Sequence, residues 1–237
     1  AGQQLRGRPG SLMAAPISFV IPVLNEAELV APLLEGLRER YPLAELLVVD
    51  GGSSDGTVAA AMGLCDSLLV SPPGRARQMN LGGRAATGDY LFFLHADTSL
   101  SVSADALAEA LAPCPSWGFF RVSLSGPGIP LRVVEWFMNR RSGLTRVATG
   151  DQVLFLDRAL FEATGGFADI PLMEDVEYCK RLRALAAPSI IVHPVTTSSR
   201  RWEERGVART ILQMWWLRLA FAMGASPGRL HRIYYGG

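Results

Sequence analysis

The chain has 237 residues, 49% of them hydrophobic and 19% charged, with 23 basic against 22 acidic side chains for a net charge of +1. That is apolar enough to bury a sizeable core and excludes a disordered polar chain, while the near-neutral balance argues against a nucleic-acid binder, which carries a basic excess. Cys65, Cys114 and Cys179 are odd in number and widely spaced, which argues against a disulfide framework or a zinc ribbon and for a reduced, cytoplasmic setting.

In chain order, residues 1–13 (AGQQLRGRPGSLM) show no apolar periodicity and no signal-type hydrophobic run, which predicts a disordered leader with Met13 as a candidate start. The next hundred residues alternate β-branched runs with helical patterns, the signature of βαβ units and a mostly parallel α/β sheet with helices on both faces. Strands are predicted at 17–23, 45–50, 67–71 and 90–97, with helices over 26–40, from Thr57, and over 75–87. The second half is less regular: strands at 117–124, 153–158 and 189–193, and helices over 130–141, before Gly165-Gly166, over 174–186 and over 206–223. Residues 14–205 read as one domain, and 206–237 as an amphipathic helix and basic tail packed on it. No apolar run reaches the roughly 20 residues of a membrane span; the best candidate, 211–224, is short and contains Arg218.

Charge is unevenly spread. From Pro194 onward seven arginines against two glutamates leave +5, so for a total of +1 residues 1–193 must sum to −4. An acidic body with a basic tail suits a tail that meets phosphate, on a substrate or at a membrane surface, although a solvated helix face has the same composition.

Ligands of parallel α/β sheets bind beyond the carboxyl ends of the strands, and three strands here end in polar residues: Asn25 and Glu26 after the first, Asp50 at the end of the second, and His95 and Asp97 after the fourth. Asp50 precedes GGSSDGT (51–57), a turn with backbone amides to spare, in which Asp55 also suits a helix cap. LHADT (94–98) sets Asp97 just past a buried strand, where a hard divalent cation bridging diphosphate oxygens is commonly held, and where a simple turn residue is equally at home. PLMEDVEYCKRL (171–182) puts Glu174 and Asp175 at a helix start, where they complement the helix dipole or supply a general base.

Taken together, FVIPVLNE (19–26), VVDGGSSDGT (48–57), GDYLFFLHADT (88–98) and MEDVEYCKRL (173–182), in this order and spacing, resemble a family 2 glycosyltransferase with the GT-A, nucleotide-diphospho-sugar transferase-like fold, over about residues 16–205. GRARQMN (74–80), HADT, GDQ (150–152), LMED and SSRRWEERG (198–206) resemble a small, soluble subgroup of it. The resemblance implies that Pro22, Asn25 and Glu26 line a nucleoside pocket and that Asp50 hydrogen-bonds the base. It implies that Asp97 holds Mg²⁺ or Mn²⁺ as the last acid of a D-x-D motif, that Asp175 is the base of an inverting displacement, and that Glu174 supports it. Arg201 and Trp202 are similar to the end of a Q-x-x-R-W motif. Arg75, Arg77 and Arg201 could neutralise diphosphate, since guanidinium matches phosphate oxygens in a fork.

Three positions depart from the family pattern. His95 replaces the first acid of D-x-D, which lowers metal affinity or lets His95 meet the ribose. Gly51 stands where a second acid is usual, and Ser198 stands where Q-x-x-R-W has glutamine, so a single, non-processive transfer is expected. His193 offers a late metal ligand or a structural histidine. The expected partners are a nucleotide-sugar donor and a hydroxyl acceptor, lipid-linked or free, with no nucleic acid. The apolar final helix, with Trp215 and Trp216, suits core packing, a homodimer interface or peripheral membrane contact at the inner face of the membrane. The rival readings are a sugar-nucleotide pyrophosphorylase, which would want a glycine-rich basic loop where LNEAE stands, and a non-catalytic module binding nucleotide sugar or lipid phosphate.

Overall fold

In a computed structural model, which describes residues 16–236, β1 (Ile17–Val23), β2 (Glu45–Asp50), β3 (Ser67–Val70) and β4 (Tyr90–Phe93) build the first half of the sheet. Between them run α1 (Ala27–Arg40), α2 (Thr57–Ala61) and α3 (Arg75–Ala85). The second half holds β5 (Thr98–Ser99), α4 (Ala104–Leu111), β6 (Trp117–Leu124), α5 (Ile129–Thr145), a 3-10 turn over Gly150–Gln152, β7 (Leu154–Asp157), α6 (Arg158–Thr164), α7 (Glu174–Leu185) and β8 (Ser189–Thr197). It closes with α8 (Arg200–Arg205), α9 (Val207–Ala222) and α10 (Pro227–Tyr235). The predicted leader over 1–13 lies outside the described residues.

One eight-stranded sheet has the order β3-β2-β1-β4-β7-β6-β8-β5. The expected mostly parallel sheet needs correction. β1 to β4 pair in parallel, but β7 is antiparallel to both β4 and β6, β5 is antiparallel to β8, and only β6 with β8 restores a parallel pair. The reason lies in the connections: a helical crossover returns each early strand in the same direction, whereas β7 enters after the short turn at 150–152 and runs back between β4 and β6. The sheet is therefore mixed, with helices on both faces.

Alternation along the strands divides the core. Phe19, Ile21 and Val23 of β1 face α1, α2 and α4, while Val20 faces the side of α3, α6, α7, α9 and α10. Trp117 and Phe119 of β6 take the second face and Phe120 and Val122 the first; each such fully buried side chain contributes about 1.5–3 kcal/mol. α3 sits unusually close to the sheet because a Cβ on Gly82 would strike Val20, and one on Gly83 would strike Phe161. At its first turns the buried Gln78 Nε2 donates to the carbonyls of Val23 (2.8 Å) and Val49 (2.9 Å), tying the helix to the tips of β1 and β2. Asn80 closes a two-way bond with the Phe167 backbone.

Four elements go beyond the sequence expectation: α4, β5, α8 and α10. β4 stops at Phe93 rather than 97, because the chain leaves the ladder at Leu94, whose N–H reaches Val20 O, and turns through 95–98. β8 runs on to Thr197 through Pro194, with a bulge opposite Phe120 and Val122 that accommodates the missing N–H.

Candidate active site

The carboxyl ends of β1, β2 and β4 point the same way, and the loops that follow β1 and β2 are tied together by side chains. The buried Asp50 carboxylate accepts from the N–H groups of Gly52 (3.0 Å) and Ser53 (3.1 Å). Asn25 sits at φ 56°; its Oδ1 accepts from Ser54 N–H (2.9 Å) and its own N–H donates to Ser53 Oγ. The Glu26 and Ala27 N–H groups, at the start of α1, donate to Thr57 Oγ1 (2.8 Å) and Asp55 Oδ2 (3.2 Å). GGSSDGT thus serves as a brace for the β1–α1 loop.

Beside this brace opens a cavity of 1410 Å³. Pro22, Glu26, His95 and Asp97 border it from the strand tips, Arg75 and Arg77 from the first turn of α3, and Arg200 and Trp202 from α8. Neither Asp50 nor Asn25 is among its lining residues. Burial first, and then the Asp97 carboxylate, push Glu26 above the usual carboxylate value, with Arg200 opposing. The far wall is mostly apolar: Val133, Phe137 and Met138 of α5 face Ile211, Met214 and Trp215 of α9, with Tyr235 of α10 closing one end.

The two acids of MED occupy the first turn of α7. Met173, in the left-handed region at φ 69°, turns the chain into the helix; neither Glu174 nor Asp175 lines the cavity, and both sit behind lining residues, Glu174 against Arg75 and Asp175 against the 150–152 turn that carries Asp151. Asp175 Oδ2 accepts from Gly150 N–H (2.7 Å), and its Oδ1 is within 2.6 Å of the Val176 N–H. A Cβ on Gly150 would lie 2.8 Å from His95 Nε2, so this glycine lets the 150–152 turn press against His95 while it holds Asp175. His95, Gly150 and Asp175 therefore form one contiguous group. Glu174 is buried, with one oxygen 3.2 Å from Arg75 Nε and the other without a hydrogen-bond partner; burial pushes its carboxyl up and the Arg75 charge opposes.

The remaining expectations divide. Arg77 borders the cavity, but its Nε is held by both oxygens of Asp169 (2.9 and 3.0 Å). Trp202 packs on Leu124, Leu131 and Val134 with an edge in the cavity, while the Arg201 side chain lies outside the described residues. His193 is exposed on β8, away from the cavity. In GDQ only Asp151 borders the cavity; Gln152 is fully buried and donates to Ser142 Oγ (2.9 Å). Among the described residues no three His, Cys, Asp or Glu side chains converge as a metal cage. Sequence reasoning missed Arg141 and Arg200. The signal for Arg141 was its spacing of four from Phe137 and eight from Val133, which puts all three on one helix face.

Residues 18–111 match the family model described as Glycosyl transferase family 2. The PGL/p-HBAD biosynthesis glycosyltransferase of Mycobacterium bovis is 39% identical over 109 residues, 42% of each chain, so the match spans less than half the length of that relative. An uncharacterized glycosyltransferase of Mycobacterium tuberculosis is 29% identical over 205 residues, covering 76% of this chain and 74% of that one. Among solved structures, a mannosyltransferase from Pyrobaculum calidifontis in complex with GDP-Man and Mn²⁺ superposes with a TM-score of 0.57 at 24% identity, over 78% of this chain and 56% of the other. The segment that is similar to this family carries the loops that brace and floor the cavity.

Proposed function

We propose that the protein transfers one sugar from a nucleotide diphosphate sugar to an acceptor hydroxyl, with inversion at the anomeric carbon. The observation that carries the reading is the Asp175 carboxylate, oriented by the Gly150 N–H and joined through that glycine to His95, which lines the cavity together with Asp97 and Glu26. In the transfer, the acceptor oxygen bonds to the anomeric carbon, the bond from that carbon to the diphosphate oxygen breaks, and the hydroxyl proton passes to Asp175. Pro22, Glu26 and Trp202 border the volume for the nucleotide; Arg200, whose charge acts on Glu26, is a cation on the same side of the cavity.

A divalent cation fits this floor in one manner. Asp97 and Glu26 are two carboxylates close enough for one to raise the other's proton affinity, and a Mg²⁺- or Mn²⁺-sized ion relieves that repulsion. Such ions are held by one or two carboxylates plus waters and phosphate oxygens rather than by a full protein cage. When bound, the cation would neutralise charge on the leaving diphosphate.

The apolar wall suits an acceptor with a hydrocarbon part, and the exposed Trp136, Leu212, Trp216 and Leu219 on the same two helices would suit delivery from the inner face of a membrane or a second copy of the chain. Among the described residues no helix is long and apolar enough to cross a membrane. The pyrophosphorylase alternative is disfavoured because the amides after β1, which would have to cradle phosphates, already bond Ser53, Thr57 and Asp55. The test is release of nucleoside diphosphate from a panel of nucleotide sugars with Mn²⁺. Asp175→Asn should lower turnover by about 10²–10⁴-fold while nucleotide binding persists; full activity in the variant would overturn the assignment.

A further inference from the structure

Two separate groups of charges lie at the cavity wall or directly behind it. One is Glu26 with Asp97 and Arg200 at the tips of β1 and β4. The other surrounds Asp175, which bonds the Gly150 N–H behind the wall, and comprises Glu174, also behind it, with Arg75, Asp151 and Arg141, which line the cavity. In the second group Arg75 is paired with Glu174, but Arg141 is not matched in the same way. It stands in the last turns of α5, on the face that also presents Val133 and Phe137 to the cavity. Its Nη1 is buried without a hydrogen-bond partner, and among the described residues no carboxylate lies within ion-pairing distance of it. Burial pulls its proton affinity down, and Asp175 and Asp151 oppose this from longer range.

A largely buried guanidinium with an unmatched donor is costly, and such groups call for a partner. The side chain borders the cavity, so a ligand can supply one. The location says which ligand. Arg141 feels Asp175 and Asp151, whereas Asp97 and Glu26, where the diphosphate is expected, belong to the other group. The neighbour of the base is the hydroxyl that the base deprotonates. Resting on the glycosyl-transfer reading, in which Asp175 is that base, we propose that the acceptor carries an anionic group, a carboxylate or phosphate, close to its reacting hydroxyl, and that Arg141 binds this group. Arg141 then acts as the residue that selects anionic over neutral acceptors, and its fork geometry suits either oxyanion.

Two arms test this, one independent of turnover. With UDP or GDP and Mn²⁺ present, calorimetry should detect binding of glycerate and glycerol 3-phosphate but not of glycerol. Arg141→Gln should weaken that anion binding by about 10- to 100-fold, with Arg141→Lys intermediate. Equal binding of glycerol and the two anions, or undiminished anion binding by Arg141→Gln, would overturn the proposal. Loss of UDP and GDP binding instead would assign Arg141 to the donor and overturn it too. In the second arm, the same three compounds serve as acceptors for the nucleotide sugar that is turned over, alongside vesicles of phosphatidylglycerol and of phosphatidylcholine. A preference for the free anions identifies a soluble acceptor, and one for phosphatidylglycerol a lipid headgroup; the proposal requires one of the two, and that preference should collapse in Arg141→Gln. Failure of transfer with every compound would count against the glycosyltransferase reading, while the binding arm still decides the anion site. Because Arg141→Gln removes an unmatched buried charge, its melting temperature without ligand should not fall; a collapsed fold would shift the decision to Arg141→Lys, which keeps the charge but loses the fork, and undiminished anion binding there would sink the proposal.

Discussion

Single residues in this protein do their work through neighbours that the sequence does not reveal. Asp50 illustrates the difficulty: an acid at a strand tip looked like a contact for the base, yet its oxygens take the Gly52 and Ser53 amides and it stays behind the cavity wall. Asp97 is more accessible, half-buried with its side chain in the cavity. Asp97→Ala should therefore weaken nucleotide binding in Mn²⁺ by about tenfold or more and leave metal-free binding much less affected, which calorimetry with and without chelator would check. Glu26 gives a pH prediction. Its folded-state proton affinity is raised, by burial and then by Asp97, above the ordinary value of 4.5, so the folded protein holds that proton more tightly than the unfolded chain. Stability from this group is then lost as pH rises from 4.5 through the raised value. Glu26→Gln should melt higher than the parent at pH 7.5, with the difference vanishing toward pH 4; an equal gap at both pH values would contradict it.

At the level of elements, the periodic signals were legible and the topology was not. The runs at 17–23, 45–50 and 117–124 are strands with those limits, because nearly all their side chains are buried, Arg121 and Ser123 near the end of β6 being the main exceptions. Strand direction has no such local signature, so β7 came as an antiparallel insertion. α10 was read only as a basic tail because its arginines mask the pair Leu230 and Tyr234, four apart, both of which are buried in the core shared with α3 and α7. The acids after β4 and at the start of α7, on which the proposed site rests, were legible as motifs, whereas Arg141 lay in a helix read only as amphipathic. The α3 docking is the element most open to measurement. Gln78→Ala removes the two bonds to Val23 and Val49 and should cost about 1–3 kcal/mol, a fall of roughly 2–10 °C in melting temperature. Helix content by circular dichroism should stay near that of the parent below the transition.

For the whole molecule, the division between the first and second halves of the chain becomes a division of the cavity. The loops after β1 and β4 supply the acidic floor of Glu26 and Asp97, and α5, α9 and α10 the apolar wall, with the proposed base on α7 behind the lining. The tail charge counted in the sequence is similarly divided: Arg200 and Arg218 border the cavity, whereas Arg209 is exposed and does not. The position of the tryptophans has a practical consequence. Trp117 is sealed in the core, but Trp202 and Trp215 form part of the cavity lining, on α8 and α9. The protein thus carries its own optical reporter: entry of a nucleotide or of an aliphatic acceptor should quench or blue-shift the emission of those two indoles against a background from the buried Trp117 and the exposed Trp136 and Trp216. A Trp202→Phe and Trp215→Phe pair would tell which half of the cavity each ligand enters, without any label.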